Sequence, residues 1–419
     1  MQPDVLDLDV VIIGAGAAGL SAAKSLRDRG RRVAVIEGSH RIGGRAYSEE
    51  IAPGTWFDLG CSYLHQAEHN PFVGIADEFN QEIGKAHGKI FELDNIHAHA
   101  HGKQLTGEER ARLNTYLSEC NAAITAAGEA GRDVAIADLV DLDNEFAPIY
   151  MANMAELNTL DLDQTSATDF YAANGGQDYP VKNGYGNLVA AWGADVEVAL
   201  NHKVERIDCR GPGVRVHTVH GVLEARTALC TVSTGVLAAQ QIDFQPGLTD
   251  SKLAAIAGLP CGTENKVCLY FERDIFGAEG RGFHYAWNDE VAGGFEASAM
   301  GQNTAIVFTG GRQAIWLEKQ GQQASEDYAL SMVASVFGSD VHQAFGRSIC
   351  TAWTSEPWTY GSYSCALPGQ AHQRAVLAQP IDSKLFFAGE ATTVGDHACC
   401  HGAFNSGQRA AAEIDAALG

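Results

Sequence analysis

Residues 9–37, DVVIIGAGAAGLSAAKSLRDRGRRVAVIE, decide the fold of this 419-residue chain. The apolar run at 10–13 predicts a short strand of a parallel sheet that is buried on both faces. Residues 17–29 predict a helix with small residues on its early turns, and the apolar run at 32–36 predicts a second strand that ends at Glu37. We therefore expect an α/β domain built from strand, helix and strand.

Three glycines in GxGxxG spacing join the first strand to the helix. Gly14 makes the tight turn, Gly16 lets a pyrophosphate approach the backbone, and Gly19 lets the helix pack closely on the strand. The start of the helix, which includes Ala18, offers N–H groups and a positive dipole end to phosphates. Glu37 can accept hydrogen bonds from ribose hydroxyls, so the whole pattern predicts a Rossmann-like dinucleotide site.

The composition predicts a large, acidic, water-soluble protein. The chain is 46% hydrophobic and carries a net charge of −23. We expect two or more domains, no signal peptide because the N-terminus is acidic, and a cytoplasmic location. The negative charge disfavours nucleic acid and anionic membranes as partners and favours a cationic ligand, although many proteins are acidic for solubility. The ten cysteines contain no CxxC pair, so we expect them to be reduced and mostly buried.

A second glycine-rich loop, GSHRIGGR, follows at 38–45. A nicotinamide cofactor gives no reason for it, whereas the longer FAD needs a second backbone-and-arginine contact, here from Gly38, Gly44 and Arg45. The alternative is a surface turn with a solvated arginine. Together with the GxGxxG unit, this loop resembles the flavin-containing amine oxidase family, and within that family the polyamine oxidases.

The stretch FDLGCSYLHQAEHNP at 57–71 resembles a segment that reads GASWIHG or GATWIHG in polyamine oxidases. The resemblance implies that Gly60 contacts the cofactor and that His65 lies near the substrate, with Tyr63 in place of a tryptophan. The alternative for His65 is a structural histidine, which is the commoner role of a histidine in an apolar stretch.

The stretch GTENKVCLYF at 262–271 resembles the family segment that carries an active-site lysine. Strand alternation places Lys266 and Cys268 on one face and Val267 and Leu269 on the other. A lysine in an apolar strand is costly unless it is exposed or functional. By resemblance, Lys266 points at flavin N5 and holds a water there; the alternative is an exposed structural lysine.

The stretch WTSEPWTYGSYSCALPG at 353–369 resembles another family segment. The resemblance places Trp353 at the cofactor, Tyr363 against the substrate face of the flavin, and Trp358 nearby as a second aromatic wall. Aromatic walls suit an amine because a cation is attracted to a ring face. Monoamine oxidases hold the flavin covalently through a cysteine where this chain has Ser362, so the resemblance implies non-covalent FAD.

The segment LFFAGEATTVGDHACCHGAFNSG at 385–407 closes the expected cofactor site. By resemblance, Glu390, which follows Gly389, bonds the ribityl chain, and the helix start at 402–407 aims its dipole at the flavin pyrimidine. Further cofactor contacts implied by the resemblance are Val204, Ala398, Cys399 and Ala403. Cys399 stands where monoamine oxidases have a second tyrosine, which implies a different or wider pocket.

The resemblance covers nearly the whole chain and implies a mixed α/β, or α+β, fold with two discontinuous domains. The FAD-binding domain comprises residues 1–80, 182–262 and 372–419, and the substrate-binding domain, of mixed sheet and helices, comprises 81–181 and 263–371. We expect the active site at their interface. The acids of 133–178 form a solvated helical face or line a cation's path. His97, His99 and His101 share one strand face, which favours solvent over a metal site.

The family implies oxidation of a cationic amine, here a polyamine, by hydride transfer to flavin N5. The imine then hydrolyses to an aldehyde and an amine, and O2 is reduced to H2O2. The residues expected at the reaction are Lys266, Tyr363, Trp358 and His65. Alternatives are oxidation of small monoamines, dehydrogenation of an apolar ring or polyene, and a non-enzymatic FAD-binding module. We expect a monomer or homodimer with no metal, nucleic-acid or membrane partner and no role in chromatin.

Overall fold

The computed structural model describes residues 7–84, 96–173, 175–288 and 291–419. Its strands are β1 Leu8–Ile13, β2 Val33–Ile36, β3 Ser48–Ala52, β4 Thr55–Asp58, β5 Tyr63–Leu64, β6 Ile96–Ala100, β7 Lys103–Gln104, β8 Tyr179–Pro180, β9 Val198–Ala199, β10 Val204–Asp208, β11 Val214–Thr218, β12 Gly221–Cys230, β13 Asp243–Gln245, β14 Glu264–Phe271, β15 Gly282–Trp287, β16 Ala292–Ala297, β17 Thr304–Gly310, β18 Phe345–Cys350 and β19 Leu385–Phe387.

The α-helices of the same residues are α1 Ala17–Asp28, α2 Pro71–Glu78, α3 Gly107–Glu129, α4 Ala147–Asn158, α5 Ala167–Ala172, α6 Tyr185–Gly193, α7 Thr234–Ala238, α8 Asp250–Gly258, α9 Gly311–Gln320, α10 Gln322–Phe337, α11 Asp340–Ala344, α12 Gln373–Ala378 and α13 Cys400–Leu418. Short 3-10 helices lie at Ile136–Asp138, Ala299–Gly301 and Glu390–Thr392. None of the helices described is both long and apolar enough to cross a membrane.

The first sheet holds the predicted strand–helix–strand unit. Its order is β13-β10-β11-β12-β1-β2-β9, and β19 also pairs with β12. β1 lies parallel to both β2 and β12. It is buried on both faces as predicted, because Val10 and Ile12 belong to one apolar core and Val11 and Ile13 to another. The GxGxxG turn therefore follows an interior strand rather than an edge strand of the sheet.

The first and last helices of the chain pack against each other beside that turn. Gly407 of α13 lies so close to α1 that a Cβ there would come within 2.1 Å of the Ala18 carbonyl oxygen. Ser21 on α1 donates a hydrogen bond of 2.7 Å to the Phe404 carbonyl of α13. This packing brings the start of α13 to the predicted dinucleotide site.

The second sheet is mostly antiparallel, in the order β18-β14-β17-β16-β15-β6-β7, with β6 and β15 parallel. The alternation predicted for β14 is confirmed. Val267 and Leu269 belong to the core shared with α10, while Cys268 packs in a separate cluster with Phe57. Helices α3 and α4 cover another part of the sheet around Tyr285.

The mixed α/β fold is confirmed, with parallel strands in the first sheet and antiparallel strands in the second. The strands of the first sheet fall within 1–80, 182–262 and 372–419, and those of the second within 81–181 and 263–371. The domain boundaries themselves stay a prediction.

The alternating histidines differ from the expectation in one respect. His97 and His99 lie on β6, and both rings stack on His284 of β15. His101 does not share their strand face, because it lies in the turn after β6 with a φ of 49°. Within the described ranges, no three His, Cys, Asp or Glu side chains are arranged to hold a metal ion.

Candidate active site

A cavity of about 1120 Å³ is lined by residues from both sheets. It exceeds the roughly 300–1,000 Å³ of most small-molecule sites, which suits a dinucleotide together with a substrate. The predicted site residues that line it are Gly14, Gly16, Ala18, Glu37, Gly38, Gly44, Arg45, Gly60, His65, Val204, Lys266, Trp353, Trp358, Tyr363, Gly389, Glu390, Ala398, Cys399 and Ala403.

The GxGxxG turn leaves no room for side chains at two positions. Gly14 has a φ of +103°, and a Cβ there would lie 2.4 Å from Thr231 Oγ1. Gly19 is outside the cavity lining, and a Cβ on it would meet the Gly14 carbonyl oxygen at 1.9 Å. The turn at 14–16 therefore connects β1 closely to helix α1, which is the geometry that a pyrophosphate needs at a helix N-terminus.

The second glycine loop lies against the first. The Gly43 amide donates to the Ala15 carbonyl at 2.8 Å. The Glu37 carboxylate joins the two loops, because it accepts hydrogen bonds of 2.8 Å from the Ala15 amide and from the Ser39 amide. Contact between Glu37 and a ribose stays a prediction, but the two loops together form one backbone surface of dinucleotide type.

A buried ion pair connects the second loop to the C-terminal segment. Arg45 donates to Glu390 Oε1 at 2.9 Å and to the Ser362 carbonyl at 2.8 Å. Glu390 also accepts from Ser364 Oγ at 2.6 Å and from the Ala398 amide at 3.1 Å. Burial opposes the charge on both groups, yet Glu390 raises the pKa of Arg45 and Arg45 lowers the pKa of Glu390. Protein donors thus occupy Glu390, and its contact with a ribityl chain stays a prediction.

These residues fit FAD. The loops supply backbone amides, Glu37 supplies an acceptor at the end of β2, and Arg45 places a positive charge beside the cavity, where it suits a pyrophosphate. Trp353 is buried, and its indole N–H donates to the Leu59 carbonyl at 3.2 Å. That hydrogen bond holds the Trp353 ring beside Gly60.

Trp358 lines the cavity beside the second glycine loop, and its expected place near Tyr363 stays a prediction. Its ring packs on Gly38, where a Cβ would come within 2.4 Å of the ring. The reason is a turn fixed from elsewhere in the chain. Ser233, at the start of α7, donates a hydrogen bond of 2.5 Å to the Thr359 carbonyl and holds this turn at the second glycine loop.

Lys266 is buried, so the alternative of an exposed lysine is wrong. Its ammonium donates to Ser62 Oγ at 2.6 Å, to the Asp58 carbonyl at 3.4 Å, and to the Gly60 carbonyl. These contacts hold the loop at 58–62. The water at flavin N5 stays a prediction, and it would share an ammonium whose three protons already have protein acceptors.

His65 lies on the cavity wall, with its Nδ1 at 2.7 Å from Asp178 Oδ1. The carboxylate orients the imidazole and leaves Nε2 for a ligand. The neighbouring Tyr63 donates a hydrogen bond to Glu296. Burial raises the pKa of Glu296 to about 7, although the hydrogen bond from Tyr63 and the charge of Lys266 oppose this shift.

Tyr363 lines the cavity, and its hydroxyl donates to the Glu156 carbonyl of α4 at 2.9 Å. We call the part of the cavity around Tyr363 and Glu156 the substrate end, because the family resemblance predicts the substrate there, and the part along the two glycine loops the cofactor end. Three further aromatic residues at the substrate end were not predicted from the sequence, namely Phe283 and Tyr285 of β15 and Phe308 of β17. No motif marks them, because they reach the cavity through sheet pairing.

Two buried carboxylates at the substrate end were not among the site residues predicted from the sequence. Glu156 on α4 and Glu264 at the start of β14 line the cavity and are 8% and 7% exposed. Burial raises the pKa of both groups, and Glu264 adds to the shift of Glu156. The acidic stretch was a signal for Glu156, whereas Glu264 carried no signal apart from its place two residues before Lys266.

The acidic stretch at 133–178 therefore has more than one role. Glu156 and Asp178 line the cavity. Asp169 instead forms a buried pair with Arg374 at 2.6 Å, and Asp141 is exposed to solvent. The stretch thus contains cavity-lining, paired and solvent-exposed acids, and a cation's path along it stays a prediction.

Known proteins share this sequence pattern. The family described as flavin containing amine oxidoreductase matches residues 89–415, and a NAD(P)-binding Rossmann-like domain matches residues 12–79. Protein FLOWERING LOCUS D of Arabidopsis thaliana is 29% identical over 97% of this chain and 55% of its own length. In Oryza sativa subsp. japonica, lysine-specific histone demethylase 1 homolog 2 is 30% identical over 98% of this chain and 57% of its own length. Polyamine oxidase 4 of the same plant is 26% identical, over 96% and 88%.

The chain thus spans about half the length of the first two of these relatives. Among solved structures, a putrescine oxidase double mutant matches with a TM-score of 0.81 at 20% identity. The wild-type enzyme bound to putrescine matches with a TM-score of 0.80 at 19% identity, and each match covers 98% of this chain and 99% of the other. At this low identity, the structural matches establish a shared fold and nothing more. Because the family model matches most of its length, this chain belongs to the flavin-containing amine oxidoreductase family.

Proposed function

We propose that this amine oxidoreductase oxidises a small amine that carries more than one positive charge, with FAD bound non-covalently. The observation that carries the proposal is the set of acids at the substrate end of the cavity, Asp178, Glu156 and Glu264, together with the rings of Tyr363 and Tyr285. Carboxylates attract a cation, and ring faces bind it. The net charge of −23 supports the same substrate class.

The two glycine loops, Glu37 and Arg45 would hold FAD, which when bound accepts a hydride equivalent from the carbon beside an amine nitrogen. Ser362 supports non-covalent binding, because its hydroxyl donates to the Gly262 carbonyl at 3.1 Å and accepts from the Glu264 amide at 2.7 Å. Acid precipitation of the holoenzyme tests this point. FAD is expected in the supernatant, and flavin that stays with the precipitated protein contradicts the proposal.

The residues of the substrate end would act on the amine in two ways. The apolar and aromatic lining excludes water, which lowers the pKa of an ammonium and favours the neutral, reactive amine. His65, oriented by Asp178, would position the reacting nitrogen through Nε2. Lys266 would keep the loop at 58–62 in place beside the reacting carbon. We propose O2 as the final electron acceptor, with H2O2 as product.

Anaerobic mixing of the holoenzyme with a panel of amines tests the function, with loss of the visible absorbance of oxidised flavin as the signal. The panel holds spermine, spermidine, putrescine, acetylated polyamines, benzylamine and simple alkylamines. We expect bleaching by the di- and polyamines and slower or no bleaching by benzylamine. Bleaching by small monoamines alone would replace the proposed substrate class, and bleaching by none would reject amine oxidation.

A second candidate is oxidation of a methylated lysine side chain in a peptide. The observation that favours it is the 30% identity with a relative named as a lysine-specific histone demethylase 1 homolog. A dimethyl-lysine peptide therefore belongs in the same panel. Bleaching by this peptide and by no free di- or polyamine would favour the second candidate over the first.

A further inference from the structure

We propose that Glu156 and Glu264 form a binding subsite for the second, non-reacting ammonium group of a diamine substrate. This inference rests on the proposed function and specifies how its substrate is recognised. The two carboxylates come from distant parts of the chain, the end of α4 and the start of β14, and both line the same cavity.

The Glu264 carboxylate points to a ligand, because it is buried and has no hydrogen-bond donor from the residues that the structure describes. It is 7% exposed and lines the cavity, yet within the part of the chain that the structure describes its carboxylate accepts no hydrogen bond. Glu156 accepts one, from the Gly294 amide at 3.0 Å. A buried carboxylate without donors is unfavourable, so these oxygens are suited to a donor that arrives with the substrate.

Among the described residues, other buried carboxylates have hydrogen-bond donors from the protein. Glu390 accepts from Arg45, from Ser364 Oγ and from the Ala398 amide. Asp169 accepts two hydrogen bonds from Arg374, at 2.6 and 2.7 Å. The fold therefore supplies donors where a buried carboxylate has a structural role, and the Glu156–Glu264 pair differs from that pattern.

The charges around the pair favour a cation. The titratable groups that face it are Lys266 on the same strand and the phenols of Tyr285, Tyr328 and Tyr363. Burial raises the pKa of all three phenols, so they stay neutral, and Lys266 partly offsets the burial of Glu264. An ammonium between the two carboxylates would favour the ionised form of both.

The chemistry indicates which nitrogen binds there. A carboxylate stabilises the protonated form of an amine, and that form has no lone pair to assist removal of hydride from the neighbouring carbon. The pair therefore suits the nitrogen that stays charged, while the reacting nitrogen lies in the part of the cavity near His65. A substrate with two amino groups meets both requirements.

The test compares two holoenzyme variants, Glu264→Gln and Glu156→Gln, with wild type. The substrates are a straight-chain diamine and the monoamine with the same number of carbons. Glu272→Gln, which changes the same charge at an exposed position just after β14, is the matched control. Anaerobic stopped-flow titration gives the apparent Kd and the limiting rate of flavin reduction for each pair.

Loss of one charge-assisted hydrogen bond predicts an increase of about 10- to 100-fold in the apparent Kd for the diamine in either variant. The Kd for the monoamine is expected to stay within about threefold of wild type, as is every value for Glu272→Gln. Equal weakening of diamine and monoamine would overturn the subsite, and so would unchanged diamine binding. Two variants at separate positions protect the test against failure of one of them to fold.

A binding measurement separates this inference from the proposed function. The probe is a diamine with two methyl groups on each carbon next to nitrogen, which has no hydrogen there to lose, and its monoamine analogue is the control. Calorimetry near neutral pH is expected to show that the diamine binds more tightly than the monoamine analogue, and that this difference is lost in Glu264→Gln. Equal binding of probe and analogue would reject the subsite. If no amine reduces the flavin, the proposed function fails, and this measurement still decides whether the subsite exists.

Discussion

The two ends of the cavity are built by different means. At the cofactor end, backbone atoms of two adjacent loops form the surface, and Glu37 joins those loops through hydrogen bonds to nearby amides. At the substrate end, side chains from α4, β14, β15 and the segment around His65 meet in space. The cofactor end is therefore complete as folded, whereas the substrate end keeps negative charge that a ligand can neutralise.

Buried carboxylates with and without arginine partners differ in the direction of their pKa shifts. Burial favours protonation of Asp169 and Glu390, but arginines close to each hold the pKa of both below its ordinary value. Burial raises the pKa of Glu156 and Glu264, which have no arginine partner among the described residues. A buried acid with strong donors stabilises the fold, and one without them is available to a substrate.

We expect the largest effect on stability when one partner of a buried ion pair is removed. Arg374→Met leaves Asp169 buried without its partner, and we expect the free energy of unfolding to fall by about 3–5 kcal/mol. Urea unfolding followed by circular dichroism measures the loss. Arg312→Met is the control, because Arg312 pairs with Asp163 on the exposed surface at 2.7 Å. Its expected cost is about 0–1 kcal/mol, and similar losses in both variants would contradict the comparison.

We expect the second largest effect on stability from Glu296→Gln, and this effect depends on pH. Burial raises the pKa of Glu296 from 4.5 to about 7, so the folded state binds this proton more tightly than the unfolded state. The stability from the proton is complete below pH 4.5 and is lost as pH rises through about 7. Glutamine stays neutral, so the variant should match wild type near pH 4.5 and exceed it by up to about 3 kcal/mol above pH 7. Urea unfolding at several pH values checks this, and a pH-independent difference would refute it.

At the cofactor end, Gly14→Ala should weaken FAD binding by about 10- to 100-fold, because the new Cβ meets Thr231 in a strained backbone conformation. Titration of apoprotein with FAD, followed by flavin fluorescence, measures the affinity. Gly30→Ala is the control, since Gly30 has a φ of +76° but nothing within 4 Å of an added Cβ. If both variants bind FAD equally well, the turn is more tolerant than the structure indicates.

Lys266→Met should retain FAD but slow flavin reduction or reoxidation by about tenfold or more, because it removes a buried positive charge from the cavity wall. Anaerobic stopped-flow spectroscopy and oxygen mixing give the two rates. Lys252→Met is the matched control, because Lys252 is also buried and donates to carbonyls of residues 376, 377 and 379 outside the cavity. Unchanged rates in Lys266→Met would remove Lys266 from the reaction.

The smallest effect is expected from Trp358→Leu. Because its ring packs on Gly38, we expect the ratio of diamine to monoamine affinity to change by less than about twofold. Tyr363→Leu, at the substrate end of the cavity, should change the ratio of diamine to monoamine affinity by more than Trp358→Leu does. Apparent Kd values from anaerobic flavin reduction give this ratio for each variant. A large change of the ratio in Trp358→Leu would indicate that Trp358 contacts the substrate, as the family resemblance predicts.

The sequence by itself determined the cofactor end. The GxGxxG turn, the second glycine loop and Glu37 act through backbone conformation and contacts between segments close in the chain, so a local pattern is enough to predict them. It also placed His65, Lys266 and Tyr363 on the cavity through resemblance to a family. It did not predict that Trp358 packs on Gly38, because that turn is held by a hydrogen bond from Ser233, 126 residues from Thr359.

Only the tertiary structure decided the charge and shape of the substrate end. Glu156 and Asp178 belong to one acidic stretch with Asp169, yet the first two line the cavity and the third pairs with Arg374. Glu264 and Tyr285 reach the same wall through sheet pairing that no local pattern specifies. The physical reason is that burial and hydrogen-bond partners set the behaviour of a carboxylate, and both depend on neighbours in space rather than on neighbours in sequence.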